Sequence, residues 1–181
     1  MFTDAQQRAL VEVARSAVAA AIAGGTTPPP QPADLENLPE ASGAFVTLKR
    51  DGQLRGCIGT LECRGPLAAE VARVAVSAAR EDPRFDPLRP AELDDLDVEV
   101  SVLGPLEAID PHDPAAIEIG RHGLVVEQGH RRGLLLPQVA TELNWDRETF
   151  LAHTCLKAGL PADAWRNGAK VYRFAAEVFG D

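Results

Sequence analysis

Along the first two dozen residues, apolar side chains return every three or four positions: Leu10, Val13, Ala14, Ala17, Val18 and Ala21. That spacing predicts an amphipathic helix over residues 3–23. Thr3 and Gln6 suit a capping box at its start, and Gly24-Gly25 ends it. Residues 26–40 contain five prolines and predict an extended, linker-like crossing. At residue 43 the period changes to two. "GAFVTLKR" sets Ala44, Val46 and Leu48 on one face and Phe45, Thr47 and Lys49 on the other. Asp51-Gly52 is a strong two-residue turn signal, so residues 43–61 predict a β-hairpin whose second strand is "QLRGCIGTL".

The helical period returns from Pro66, with Leu67, Val71, Val74, Ala75 and Ala78 as the buried stripe and "DPRFDP" as the stop. "DVEVSVL" (97–103) is the cleanest strand, with three valines on one face and Asp97, Glu99 and Ser101 on the other. Asp113-Pro114 predicts a cap for a short helix ending near Gly120. "HGLVVEQGHRRGLLLP" predicts two strands around Gly129. A helix follows from Pro137, another runs from an Asp146 cap to Gly159, and "KVYRFAAEVF" is a closing strand. Mixed helices and strands joined by at least one hairpin predict an α+β fold around a largely antiparallel sheet flanked by helices.

Composition narrows the function. The 181 residues suit one domain, with or without a small lobe, and 45% apolar with 25% charged residues is ordinary for a globular chain. A net charge of −9 weighs against nucleic acid or an anionic membrane as partner, since both favour basic surfaces. No apolar run reaches the roughly 20 residues of a membrane helix. Asp4, Glu12 and Arg15 interrupt the N-terminal apolar stretch, unlike a signal peptide, so the expected location is the cytoplasm. Three cysteines make no disulfide framework, and no cysteine–histidine cluster has zinc spacing. The phosphate-cradling, dinucleotide-binding, serine-hydrolase and zinc-protease motifs are absent, so no cofactor or metal is predicted.

The chemistry concentrates in "LRGCIGT" (54–60). On an unbroken strand Arg55, Cys57 and Gly59 share a face, with Arg55 and Cys57 about 7 Å apart. A nearby guanidinium favours thiolate over thiol. Gly56 and Gly59 leave bare backbone that a ligand or a second chain segment can approach. The alternative is structural: strand glycines also mark bulges, and buried cysteine is usually a small hydrophobe. Cys155 falls on the apolar face of its helix with Leu151 and Ala158, where core packing explains it. His122, in "GRHGL", opens a strand at a turn. It is a candidate base or hydrogen-bond donor, or simply a partner for the turn backbone. Glu99 either lines a cleft or faces solvent. Arg84, in "DPRF", follows a helix end, where it pairs with a carboxylate or binds an anion.

"GAFVTLKRDGQLRGCIGTLE", "DPRFDPLRPAEL", "VEVSVLGPLEAI", "IGRHGLVVEQG", "GLLLPQVATELNWDRETFL" and "CLKAGLPADAW" occur in the order seen in the AMMECR domain family. Its prokaryotic members are called AmmeMemoRadiSam system protein A. The chain resembles that family over about residues 5–179, with "LRGCIG", "RHG" and "LLPQVA" as the specific strings. The resemblance implies a single AMMECR-type domain over 1–181, with larger and smaller lobes and a cleft near the hallmark. It also implies genomic association with Memo-like and radical SAM proteins. It implies no settled activity.

Two functions stand side by side. In one, an enzyme uses Cys57 as nucleophile, Arg55 to hold an anionic group, His122 to carry a proton and Glu99 to orient it, with Gly56, Gly59, Arg84 and Arg121 lining the substrate site. In the other, the glycine-rich strand docks partner proteins and Cys57 is structural. Regulatory binding of a small anion at Arg55 and Arg121 lies between them.

Overall fold

The computed structural model describes residues 1–24 and 35–181; part of the proline-rich crossing expected over residues 26–40 lies outside the described residues. The chain forms two compact units, one of Met1–Leu103 with Glu177–Asp181 and the other of Gly104–Ala176.

The first unit begins with helix α1 (Asp4–Ala23). Thr3 and Gln6 form the expected capping box, and Gly24 ends the helix in the left-handed conformation, where glycine carries no Cβ penalty. Strands β1 (Gly43–Arg50) and β2 (Gln53–Thr60) form the hairpin. Asp51 and Gly52 both take positive φ, the two-residue turn that matches strand twist. Helix α2 (Leu67–Arg80) follows, with Pro66 at the N-cap, one position earlier than expected. A 3₁₀ turn (Pro90–Asp95) leads into β3 (Leu96–Leu103). β1 pairs antiparallel with both β2 and β3. Beyond β3, Asp181 donates its backbone N–H to the Val98 carbonyl. Ala44, Val46, Leu48, Val98, Val100 and Val102 form one buried sheet face, packed with the apolar stripes of α1 and α2.

The second unit contains β4 (Glu107–Ile109), β5 (His122–Gln128), β6 (Arg131–Leu135), α3 (Pro137–Glu142), α4 (Arg147–Lys157) and most of β7 (Lys170–Gly180). β7 pairs antiparallel with β4 and β5, and β5 with β6. Leu124, Val126, Phe150, Leu151, Cys155, Trp165 and Val171 make its core. Asp146 caps α4 through the Thr149 N–H, as expected.

The short helix expected after Asp113 does not form. Asp113 accepts from the Ala115 N–H through its side chain and from the Ala116 N–H through its carbonyl. That closes a single turn, and side-chain bonds of this kind compete with helix propagation. The two units together make an antiparallel α+β protein, and no helix among the described residues is long and apolar enough to cross a membrane.

Candidate functional site

The register of the first unit sets out a row of side chains. Thr47 on β1 stands opposite Cys57 on β2 and opposite Glu99 on β3. All three project from the polar side of the sheet, away from the valine face. Thr47 Oγ1 and Cys57 Sγ are 3.2 Å apart, within hydrogen-bond reach for sulfur. Lys49, two positions along β1, donates to Glu99 Oε2 at 3.2 Å. Cys57, Thr47, Lys49 and Glu99 are all half-buried. Cys57 and Glu99 therefore lie on one face of the sheet, each opposite Thr47. Thr47 sits between them and was not singled out from the sequence.

Arg55 occupies a different place from the one an unbroken strand implies. Leu48 pairs with Gly56 and Lys49 with Leu54, so Arg55 is the extra residue of a β-bulge. A bulge re-aims its side chain, and the i, i+2 rule fails across it. Arg55 grips Glu92 through Nε to Oε1 at 3.0 Å and Nη2 to Oε2 at 3.2 Å, and donates Nη1 to the Asp86 carbonyl at 2.9 Å. Glu92 is buried, and the Arg55 guanidinium holds its carboxyl below the ordinary range. A cavity of about 290 Å³ at this end of the hairpin is lined by Arg50, Asp51, Gln53, Leu54, Arg55 and Glu92, without Cys57.

The cation at Cys57 is Arg84. Asp82, only 4% exposed, accepts the Cys57 backbone N–H at Oδ2 (3.0 Å). The same carboxylate accepts the Arg84 backbone N–H and Nε at Oδ1, each at 3.0 Å, and Arg84 Nη2 at Oδ2 at 2.8 Å. Arg84 Nη2 also lies 3.5 Å from the Cys57 carbonyl oxygen. The Arg84 side chain holds Asp82 far below the usual carboxylate range, against the opposing effect of burial. Phe85 packs beside both guanidiniums, its ring centre 5.5 Å from that of Arg84 and 6.0 Å from that of Arg55. Sequence reasoning named Arg84 and missed Asp82, whose one signal is its place directly after a helix end.

The glycines serve close packing. A Cβ on Gly56 would lie 2.2 Å from the Ala78 carbonyl of α2, so the strand can approach the helix backbone only without a side chain. Of the two approaches the bare backbone allowed, a second chain segment takes the one at Gly56. Gly59 stands opposite Phe45 on β1, and a Cβ there would meet the Phe45 ring at 2.2 Å. The ring of Phe45 covers the bare backbone, an arrangement that rescues a strand glycine.

His122 and Arg121 belong to the second unit. His122 Nδ1 accepts the Glu118 backbone N–H at 2.9 Å, and the His122 N–H donates to the Glu118 carbonyl at 3.0 Å. An Nδ1 that accepts leaves the ring proton on Nε2. Burial, with Arg173 and Arg121 nearby, pushes the imidazole pKa down. The ring is thus a neutral donor through Nε2, and its basic nitrogen is already occupied by the turn. Arg121 is largely exposed and pairs with Glu118 at 3.3 Å.

Of the other two thiols, Cys155 is fully buried in the second core, and Cys63 is half-buried like Cys57, with its pKa raised by burial and then by Glu70. Among the described residues no group of three histidine, cysteine or carboxylate side chains is arranged to hold a metal ion.

Comparison with known proteins places this architecture. A protein of Methanothermobacter thermautotrophicus is 49% identical over 178 residues, covering 95% of this chain and 92% of its own. One of Methanosarcina acetivorans is 45% identical over 185 residues, covering 99% and 93%. The crystal structure of an uncharacterised protein from Pyrococcus horikoshii superposes with a TM-score of 0.89 at 44% identity, over 99% of this chain and 93% of that one. The AMMECR1 family model matches residues 11–179, and with relatives this similar over nearly the full length the chain belongs to the AMMECR1 family.

Proposed function

We propose that the protein is a cysteine-dependent enzyme acting on a small anionic substrate, with Cys57 as the nucleophile. The observation that carries this reading is the row Cys57–Thr47–Glu99, with Sγ 3.2 Å from the Thr47 hydroxyl. A thiolate can only accept a hydrogen bond, so the Thr47 hydroxyl is the group placed to donate to it. Glu99 is held by Lys49 at the far end of the row and supplies a fixed carboxylate. The backbone of Cys57 is tied to a buried carboxylate at a strand edge, which holds the thiol in one place. In this reading the protein is component A of an AmmeMemoRadiSam system, working alongside Memo-like and radical SAM proteins.

A second reading, a docking module for those partner proteins, draws on one observation. Arg55 and Lys49 already hold carboxylates, at Glu92 and Glu99, so neither cation stands open beside the thiol.

Alkylation of the native protein by iodoacetamide separates the two, with each cysteine followed by peptide mass. Cys57 is expected to react at least tenfold faster than Cys63 at neutral pH, with Cys155 protected until unfolding. A Cys57 no faster than Cys63 sinks the nucleophile and leaves the docking reading.

A further inference from the structure

Resting on Cys57 as the reactive group, we propose that Arg84 is the anion-receiving cation of the site and that Asp82 is the residue that positions both. Asp82 is almost wholly buried, yet its two oxygens accept four hydrogen bonds, one from the Cys57 backbone and three from Arg84. One carboxylate therefore fixes the thiol-bearing backbone and the guanidinium against each other. With its carbonyl oxygen near Arg84 Nη2, both outward-facing backbone groups of Cys57 are engaged by this pair. The strand edge is capped at that point, so an added strand has nothing to bond there.

Arg84 keeps capacity to spare. Its side chain is 56% exposed, its Nε and Nη2 face Asp82, and Nη1 makes no hydrogen bond among the described residues. Phe85 flanks the guanidinium plane and limits its swing. Arg55 differs on each count: its side chain is 16% exposed, and all three of its nitrogens donate to Glu92 or the Asp86 carbonyl. The ligand chemistry is an anionic group, carboxylate or phosphate in class, attached to whatever reacts at the thiol. A planar guanidinium with a free edge is built to receive such groups.

The test compares two alkylating reagents of one size, anionic iodoacetate and neutral iodoacetamide, at Cys57. In the native protein the iodoacetate-to-iodoacetamide rate ratio is expected to fall about fivefold in Arg84→Gln, as one cation is lost near the thiol. Arg84→Lys keeps the charge and is expected to keep at least half of the wild-type ratio. Unchanged far-UV circular dichroism and urea unfolding report that each variant is folded. Should Arg84→Gln fail to fold, wild type decides: raising ionic strength to about 1 M screens the cation and should lower the ratio. A ratio indifferent to both Arg84 and salt overturns this inference alone. A Cys57 inert to both reagents overturns the nucleophile reading, and this inference with it.

Discussion

Residues in this protein are often defined by the bond that occupies them. His122 is an example. Its position at a turn ahead of a strand suggested a base, a donor or a partner for the backbone. The Glu118 N–H at Nδ1 leaves the donor role at Nε2 and the backbone role at Nδ1. Protonation would set two N–H groups against each other, and burial opposes it further. The unfolded value is about 6.5 and the folded one is lower, so the unfolded state binds more protons between them. His122 therefore costs stability as pH falls from about 6.5 toward its folded value. Nitrogen-edited NMR should find the neutral Nε2–H tautomer still dominant at pH 6.5, and a ring half-protonated at or above that pH would contradict the assignment. The strand faces of Cys57 and Glu99 were legible in the sequence because period two assigns a face whatever the rest of the fold does. Arg55 was misplaced because a bulge is decided by pairing with β1, and nothing in "LRGCIG" says which residue is left out of register. Asp82 was missed because its partners, Cys57 and Arg84, come together only when the strand lies against the end of α2.

Among the elements, strand glycines do two jobs, and each unit shows both. Gly56 lies under the α2 backbone, and Gly133 on β6 lies under α4, where a Cβ would meet the Ala158 nitrogen at 2.3 Å. Gly59 lies beneath Phe45, and Gly123 on β5 beneath Phe174, its cross-strand neighbour on β7. Gly56→Ala should therefore destabilise the protein by about 3 kcal/mol in urea unfolding, since backbone on both sides must move. Gly65→Ala is the control, because open space surrounds that position, and its effect should stay within about 0.5 kcal/mol. Equal effects at the two positions would mean that the strand and helix part without resistance. The hairpin, α1, α2, β3 and the pair β5–β6 were readable because each carries its own period and its own punctuation. The helix expected after Asp113 was not, since a cap signal without a buried stripe behind it makes only a turn. β4, three residues long, exists by virtue of pairing with β7.

For the molecule as a whole, buried carboxylates gripped by arginines set the response to acid. Asp82 and Glu92 are both buried and both held below their ordinary values, by Arg84 and Arg55 respectively. Folding then favours their charged forms, and the unfolded chain binds more protons as pH drops. Their contribution is complete above about pH 4.5 and is lost progressively as pH falls through the unfolded values near 4 toward the folded ones. Thermal unfolding between pH 7 and 2.5 should show a steep fall below about pH 4.5, and the Asp82→Asn, Glu92→Gln double variant a shallower one. Parallel curves for variant and wild type would assign acid lability elsewhere.

The sequence by itself determined the class of fold, the order of most elements, the strand face of Cys57 and that of Glu99, and the family. Those properties reside in local period, turn chemistry and motif order, which are complete within a short stretch of chain. Only the tertiary structure decided that Arg55 belongs to Glu92, that Arg84 and Asp82 belong to Cys57, and what fills the space beside each hallmark glycine. Each of these joins residues from different elements, such as Cys57 with Asp82 and Arg55 with Glu92. Their partnership is settled by register and by helix–strand approach, quantities that exist only once the elements have packed.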